Sequence, residues 1–180
     1  MPRPAAPTSD LVSRPKGLLD QDHRELEHHL EVAALLLELL PADGRVSASH
    51  RGALEAALAY FRREAIWHTR DEELSLFPRL RRARNRRVAA ALAQLATLTH
   101  EHEAVIKLHE AFEQAAAAGL KAARYSPRQR RTLQRLLRDL RAIYRRHMEI
   151  EDRQIFPLAA AVLGPAQMRS IDRDIAQRRR

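Results

Sequence analysis

The chain has 180 residues, enough for one domain with a substantial core, and its net charge of +9 comes almost entirely from arginine. It contains no cysteine, which excludes disulfides, thiolate metal sites and cysteine nucleophiles. Glycine and aromatic residues are scarce, so the composition favours helices over strands. No apolar stretch reaches membrane-spanning length or resembles a signal peptide, so we expect a cytoplasmic protein without a membrane partner.

Capping and helix-breaking residues divide the chain into four long helices. Residues 1–16 are rich in proline, serine and alanine, which predicts a flexible N-terminal arm. The predicted helices cover, in order, residues 17–40, a segment from Ser47 or Ser49 to Ser75, residues 85–118, and a segment from Ser126 to Gln154. Their predicted ends are Pro41, Phe77-Pro78, Gly119 and Phe156-Pro157. A short helical piece should then precede the basic segment 164–180, which can add another short helix.

Four long helices with short links predict an all-α, up-down-up-down four-helix bundle over residues 17–163, followed by a short helical extension. Each helix has an apolar seam with alternating spacings of three and four residues. On the fourth helix the seam consists of Leu133, Leu136, Leu140, Ile143 or Tyr144, His147 and Glu151. Histidine or glutamate also interrupts the seams of the other three helices, so we expect these polar side chains to face the core.

The polar seam residues repeat at one fixed offset. His23, His68 and Glu72 return 79 residues later as His102, His147 and Glu151. Their neighbours repeat as well: Asp-His at 22–23 returns as Glu-His at 101–102, and the segment 68–78 returns as 147–157. This pattern indicates an internal duplication with a two-fold symmetric site.

Four imidazoles and two carboxylates predict a metal centre in the core. Burying these groups without partners would cost several kcal/mol, and metal coordination offsets that cost. His68 and Glu72, like His147 and Glu151, are four residues apart and therefore project from one face of a helix. Two histidines per ion, with both glutamates as bridges, can hold two metal ions. We predict two iron ions joined by an oxygen bridge, with manganese or zinc less favoured.

The pattern H…HxxxE…H…HxxxE resembles that of the hemerythrin-like family, also called the HHE cation-binding domains. The resemblance covers about residues 18–160 and includes the LFP and IFP sequences that follow the paired motifs. Oxygen-carrying hemerythrins have a further histidine where this chain has Ile106, and an aspartate at a longer spacing in place of Glu151. The resemblance therefore implies the four-histidine bacterial variety, which includes iron–sulfur repair proteins. Those proteins usually carry a cysteine-containing N-terminal domain, and this chain has no cysteine.

The resemblance implies a di-iron protein that binds O2, a related small oxidant or nitric oxide. Its expected role is sensing or buffering of oxygen, iron, or oxidative and nitrosative stress. One alternative is an enzyme that decomposes peroxide or reduces nitric oxide at the same centre. Another is an interaction or nucleic-acid-binding bundle with a structural metal, suggested by arginine runs at 79–87, 128–131 and 178–180. These runs lack interleaved aromatic residues and a recognition motif, so we interpret them as solvated surface charge.

Four further residues near the motif have weaker predictions. Glu73 and Asp152 directly follow the two motif glutamates and match across the repeat, which makes them candidates for orienting histidines. His109 follows His102 by one heptad and is interpreted as a core histidine. Glu27 is interpreted as an exposed helix charge.

Overall fold

A computed structural model describes residues 15–180. The helices are α1 (Pro15–Glu38), α2 (Ala48–Asp71), α3 (Phe77–Arg82), α4 (Arg86–Lys121), α5 (Pro127–Ile150), α6 (Phe156–Val162) and α7 (Pro165–Arg178). Two π-helical turns, Glu72–Leu76 and Glu151–Ile155, join α2 to α3 and α5 to α6. The arm predicted for residues 1–16 lies outside the described residues, except that Pro15 and Lys16 already belong to α1.

The four long helices form a closed ring of neighbours. Helix α1 contacts α2 and α5, and α4 contacts the same two helices from the other side. Because the links between successive long helices are short, neighbours in the chain run antiparallel. The prediction of an all-α, up-down-up-down four-helix bundle is confirmed for the described part of the chain.

Side-chain caps fix where three of the long helices begin. Ser47 Oγ accepts a hydrogen bond from the backbone N–H of His50, and Asn85 Oδ1 accepts one from Arg87 N–H. Ser126 forms a capping box with Gln129, in which each side chain accepts a hydrogen bond from the backbone N–H of the other residue. The predicted caps at Ser47 and Ser126 are thus confirmed.

The core consists of two apolar clusters, with a polar layer between them. The first includes Leu26, Leu54 and Leu140, and the second includes Leu19, Leu98 and Phe156. The histidines and glutamates of the repeated pattern lie between these clusters along each helix. On α5 the sequence allowed either Ile143 or Tyr144 as the seam residue. In the structure Tyr144 is buried and belongs to the seam, whereas Ile143 is half-buried.

The prediction that Phe77-Pro78 and Phe156-Pro157 interrupt their helices is wrong. The helical path continues through the π-helical turns, in which Phe77 N–H donates to Glu72 C=O and Phe156 N–H donates to Glu151 C=O. The prolines fall in the first turn of α3 and α6, a position that tolerates proline. The two π-helical turns occupy equivalent places in the two halves.

The prediction that Gly119 ends its helix is also wrong, because α4 continues to Lys121. The positive φ that completes the turn belongs to Ala123, at 51°. Gly119 instead allows the close approach of Tyr125: a Cβ at position 119 would lie 1.9 Å from Tyr125 Cε1. The glycine is required by packing and not by backbone conformation.

Helix α7 extends the second apolar cluster beyond the bundle. Its residues Ile171 and Ile175 are buried in that cluster. The helix contacts α1 and the π-helical turn Glu72–Leu76. The basic segment predicted for 164–180 is therefore a packed helix that touches the first half of the molecule. No helix among residues 15–180 combines the length and apolarity needed to cross a membrane.

We predict opposite effects of alanine at two helical glycines. Gly119→Ala should lower the free energy of unfolding by about 1–3 kcal/mol, because the new methyl group overlaps the Tyr125 ring. Gly52→Ala in α2 meets no atom within 4 Å and should raise it by about 0.5–1 kcal/mol. Urea denaturation of both variants checks this. An unchanged midpoint for Gly119→Ala would contradict the packing role.

Candidate metal centre

All six residues of the repeated pattern meet in the polar layer of the core, and all six are buried. They form two groups that share both glutamates. The first contains His23 and His68, the second contains His102 and His147, and each also contains Glu72 and Glu151. Within each group the nitrogen and oxygen atoms lie within 4.8 Å of one another. The structure thus brings together every residue that the sequence pattern singled out.

The junctions between α-helix and π-helical turn place the paired motifs. His68 and His147 lie in the last turns of α2 and α5, and Glu72 and Glu151 are the first residues of the π-helical turns. Because each pair is four residues apart, its side chains project from consecutive turns of one helical face. Isolated π-helical turns in proteins often occur at functional sites.

Each glutamate lies between the two histidine groups. Glu72 Oε2 is 3.7 Å from His68 Nε2 and 3.3 Å from His102 Nε2, so it approaches one histidine of each group. Glu151 approaches His147 Nε2 at 2.8 Å through Oε1 and His23 Nε2 at 3.2 Å through Oε2. A carboxylate in such a position can bridge two cations.

Four outer carboxylates contact the opposite nitrogen of each ring. The Nδ1–oxygen distances are 3.2 Å for His23 and Asp152, 3.3 Å for His68 and Asp22, 2.8 Å for His102 and Glu73, and 3.0 Å for His147 and Glu101. Each ring therefore has its Nδ1 on the outside, against a carboxylate, and its Nε2 facing the centre. Such outer contacts fix ring orientation in metal sites.

The sequence pattern indicated two of these outer carboxylates. Glu73 and Asp152 lie where the repeat suggested, against His102 and His23. The contacts of Asp22 with His68 and of Glu101 with His147 were not anticipated. Their signal was nevertheless present: both precede a motif histidine and match each other at the same offset.

The central carboxylates have no ordinary hydrogen-bonding partners. Among the described residues, no well-aligned donor reaches any carboxylate oxygen of Glu72 or Glu151, although both side chains are fully buried. The nitrogens of His23 approach carboxylates at 3.2 Å but also lack aligned geometry. Unsatisfied buried charge is costly, and this donor set fits a cation that all these atoms face.

Neighbouring charges shift the pKa values of the central groups. Burial and the negative charge of Glu151 raise the pKa of Glu72. Burial acts the same way on Glu151, but the nearby His147 and His23 hold the pKa of that carboxyl well below its usual range. Burial alone would lower the pKa of His102, yet Glu72 and Glu73 raise it to about 10. Positive charge is thus favoured at the centre, where a metal cation would replace bound protons.

Two phenylalanines cover the lone histidines. The Phe77 ring lies parallel to His102 with centroids 6.0 Å apart, and Phe156 stacks on His23 at 5.5 Å. Both phenylalanines come directly after the π-helical turns and belong to the second apolar cluster. They separate the polar layer from water on that side.

His109 and Glu27 do not join the central cluster. His109 is buried against Phe61, and its Nε2 lies 2.8 Å from the hydroxyl oxygen of Tyr144. Burial lowers its pKa to about 4, so this ring is neutral, as expected for a core histidine. Glu27 is exposed on α1. Both placements agree with the interpretations made from the sequence.

The bundle and its buried cluster define a class of helical protein with a paired histidine–carboxylate site suited to cations. Residues 15–159 match the family described as the Hemerythrin HHE cation binding domain. Because this match covers most of the chain, the protein belongs to the hemerythrin HHE family, and the resemblance noted in the sequence is confirmed. The chain matches none of the curated proteins and none of the solved structures with which it was compared.

Removing one outer carboxylate should weaken cation binding. Glu73→Gln takes away the charge beside His102 Nδ1, and we expect metal affinity to fall about 10–100-fold. Glu103→Gln, an exposed neighbour on the same helix as His102, is the matched control. Competition titration against a metal chelator measures both. Equal affinities for the two variants would rule out an orienting role for Glu73.

Proposed function

We propose that the chain binds two iron ions between its halves and uses them to bind O2, a related small oxidant or nitric oxide. The single observation that carries this proposal is the pair of four-residue groups sharing both glutamates. Two overlapping sets of nitrogen and oxygen atoms fit two neighbouring ions. A lone ion would use only one of the sets.

The proposed ligands follow from the contacts. His23 and His68 would hold one ion, His102 and His147 the other, and both glutamates would bridge them. Imidazole with carboxylate suits iron and also manganese or zinc, so the donor set alone does not select iron. The preference for iron rests on the family resemblance. An iron pair would supply redox chemistry and open coordination positions for a small ligand.

The surrounding residues prepare the site in three ways. An outer carboxylate lies against the Nδ1 of each ring and each Nε2 already points inward, so little reorganisation is needed on binding. The two apolar clusters exclude water from above and below the polar layer. The buried carboxylates supply negative charge that a cation can neutralise. This combination supports a metal-binding site whose buried charges lower the stability of the metal-free protein.

The proposed role is sensing or buffering of oxygen, iron, or oxidative and nitrosative stress in the cytoplasm. The same centre could turn over peroxide or nitric oxide, and only reactivity measurements separate binding from catalysis. The nucleic-acid alternative loses part of its support, because three arginines of these runs are engaged in ion pairs. Arg79 pairs with Asp174, and Arg178 and Arg179 contact buried carboxylates, so these three cations are not free for phosphates.

The metal content of the full chain tests the proposal directly. After anaerobic reconstitution we expect two irons per chain for the native protein and fewer than one for Glu72→Gln or Glu151→Gln, because each substitution removes a bridging charge. Glu149→Gln, on the exposed face of α5, should retain two. Elemental analysis after gel filtration gives the counts. Less than one iron in the native protein would end the proposal.

Absorption spectra recorded with three different small ligands separate binding from turnover. The reduced iron-loaded protein is exposed in turn to oxygen, hydrogen peroxide and nitric oxide while its absorption spectrum is followed. A stable spectral change with one of these ligands, without consumption of further equivalents, supports binding and sensing. Continued evolution of oxygen from peroxide, abolished in Glu72→Gln, would instead identify an enzyme.

A further inference from the structure

The end of the chain contacts the proposed metal centre through one carboxylate. Arg179, directly after α7, donates from Nη1 and Nη2 to the two carboxylate oxygens of Asp22, at 3.1 and 2.6 Å. Asp22 Oδ2 also lies 3.3 Å from His68 Nδ1. A bidentate arginine–carboxylate pair is among the more rigid polar contacts in proteins. Arg179 therefore fixes the carboxylate that orients His68.

A second, fully buried carboxylate holds this arginine in place. Arg179 Nε donates to Asp71 Oδ2 at 2.6 Å, and Asp71, the last residue of α2, has no exposed surface. Arg178 contacts the other oxygen of Asp71 and donates to Ser75 Oγ at 2.9 Å. Only 21% of the Arg179 side chain is exposed. The expectation of solvated surface charge is thus wrong for these two arginines.

The second half of the molecule supports its histidine differently. Arg146 on α5 donates from Nε to Glu101 Oε1 at 3.0 Å, and Glu101 Oε2 lies 3.0 Å from His147 Nδ1. The residue that corresponds to Arg146 in the first half is Trp67, so α2 has no arginine at that place. The counterpart of Asp71 is Ile150, which packs against the second apolar cluster. The two halves therefore use arginines from different parts of the chain.

We propose that Arg179 is a positioning residue for the His23–His68 metal position, which makes that position dependent on α7, whereas the His102–His147 position depends on Arg146. The inference rests on the proposed function, since it requires that the cluster bind two ions. Helix α7 begins at Pro165, outside the segment 15–159 that matches the family. The dependence is thus a property of this chain's own extension.

A crossed set of variants tests the proposal on the full chain. His147→Gln leaves only the first histidine pair complete, and His68→Gln leaves only the second. In the His147→Gln background, Arg179→Gln should weaken binding of cobalt(II), followed by its visible absorption, about tenfold, the lower end of what loss of an outer contact costs. Arg146→Gln should have little effect there. In the His68→Gln background we expect the reverse: Arg146→Gln should weaken cobalt binding about tenfold, and Arg179→Gln should have little effect. Arg180→Gln, an exposed neighbour, is the matched control in both.

Two further measurements separate positioning from a general loss of stability. Far-UV circular dichroism and thermal unfolding of the metal-free variants report whether the bundle stays folded. A double-mutant cycle with Asp22→Asn should show that Arg179→Gln adds no further loss once the aspartate charge is gone. Arg179→Lys, which keeps the charge but not the bidentate contact, should restore part of the affinity.

The outcomes distinguish this proposal from the proposed function. A native protein that retains less than one iron per chain after anaerobic reconstitution overturns both. A native protein that binds two metal ions, with Arg179→Gln weakening both positions equally or neither, overturns only the role of Arg179. Selective weakening of the His23–His68 position, without that loss at the other, supports it.

Discussion

The fully buried carboxylates of Glu72 and Glu151 are the constraint on which the rest of the structure depends. Two negative charges at the centre of an apolar bundle are unfavourable unless positive groups from every side face them. The four long helices supply those groups as one histidine each, so the polar layer ties all four helices together. The relative positions of the four helices and the geometry of the site therefore depend on each other. A shift of one helix would leave a charge without its partner.

The duplication supplies these groups symmetrically, because each half contributes the same arrangement of one lone histidine and one histidine–glutamate pair. The π-helical turns contribute to this arrangement. They begin at the glutamates and let the following phenylalanines cover the lone histidines while the helical path continues through the prolines. The same residues that would destabilise an ordinary core give it a layer suited to cations. Stability without metal is traded for a prepared site.

The symmetry is not complete, and its exceptions lie in the outer contacts. In the second half, Arg146 and Glu101 belong to the duplicated unit itself. In the first half, Trp67 stands where an arginine would be needed, and the missing charge comes from Arg179 after α7. Asp71, without an equivalent in the second half, anchors that arginine. The C-terminal extension thus compensates for what the first half lacks, and the two sides of the centre are chemically unequal.

The sequence by itself determined the bundle, its seams and the six central residues, because heptad spacing and a fixed repeat are local or periodic signals. It also carried the signal for the outer carboxylates, since Asp22 and Glu101 repeat, although their partners lie on other helices. Only the tertiary structure decided which histidine each carboxylate holds, that Gly119 accommodates Tyr125, and that Arg178 and Arg179 pair with carboxylates far away in the chain. These outcomes depend on packing between distant segments, which spacing along one helix does not encode.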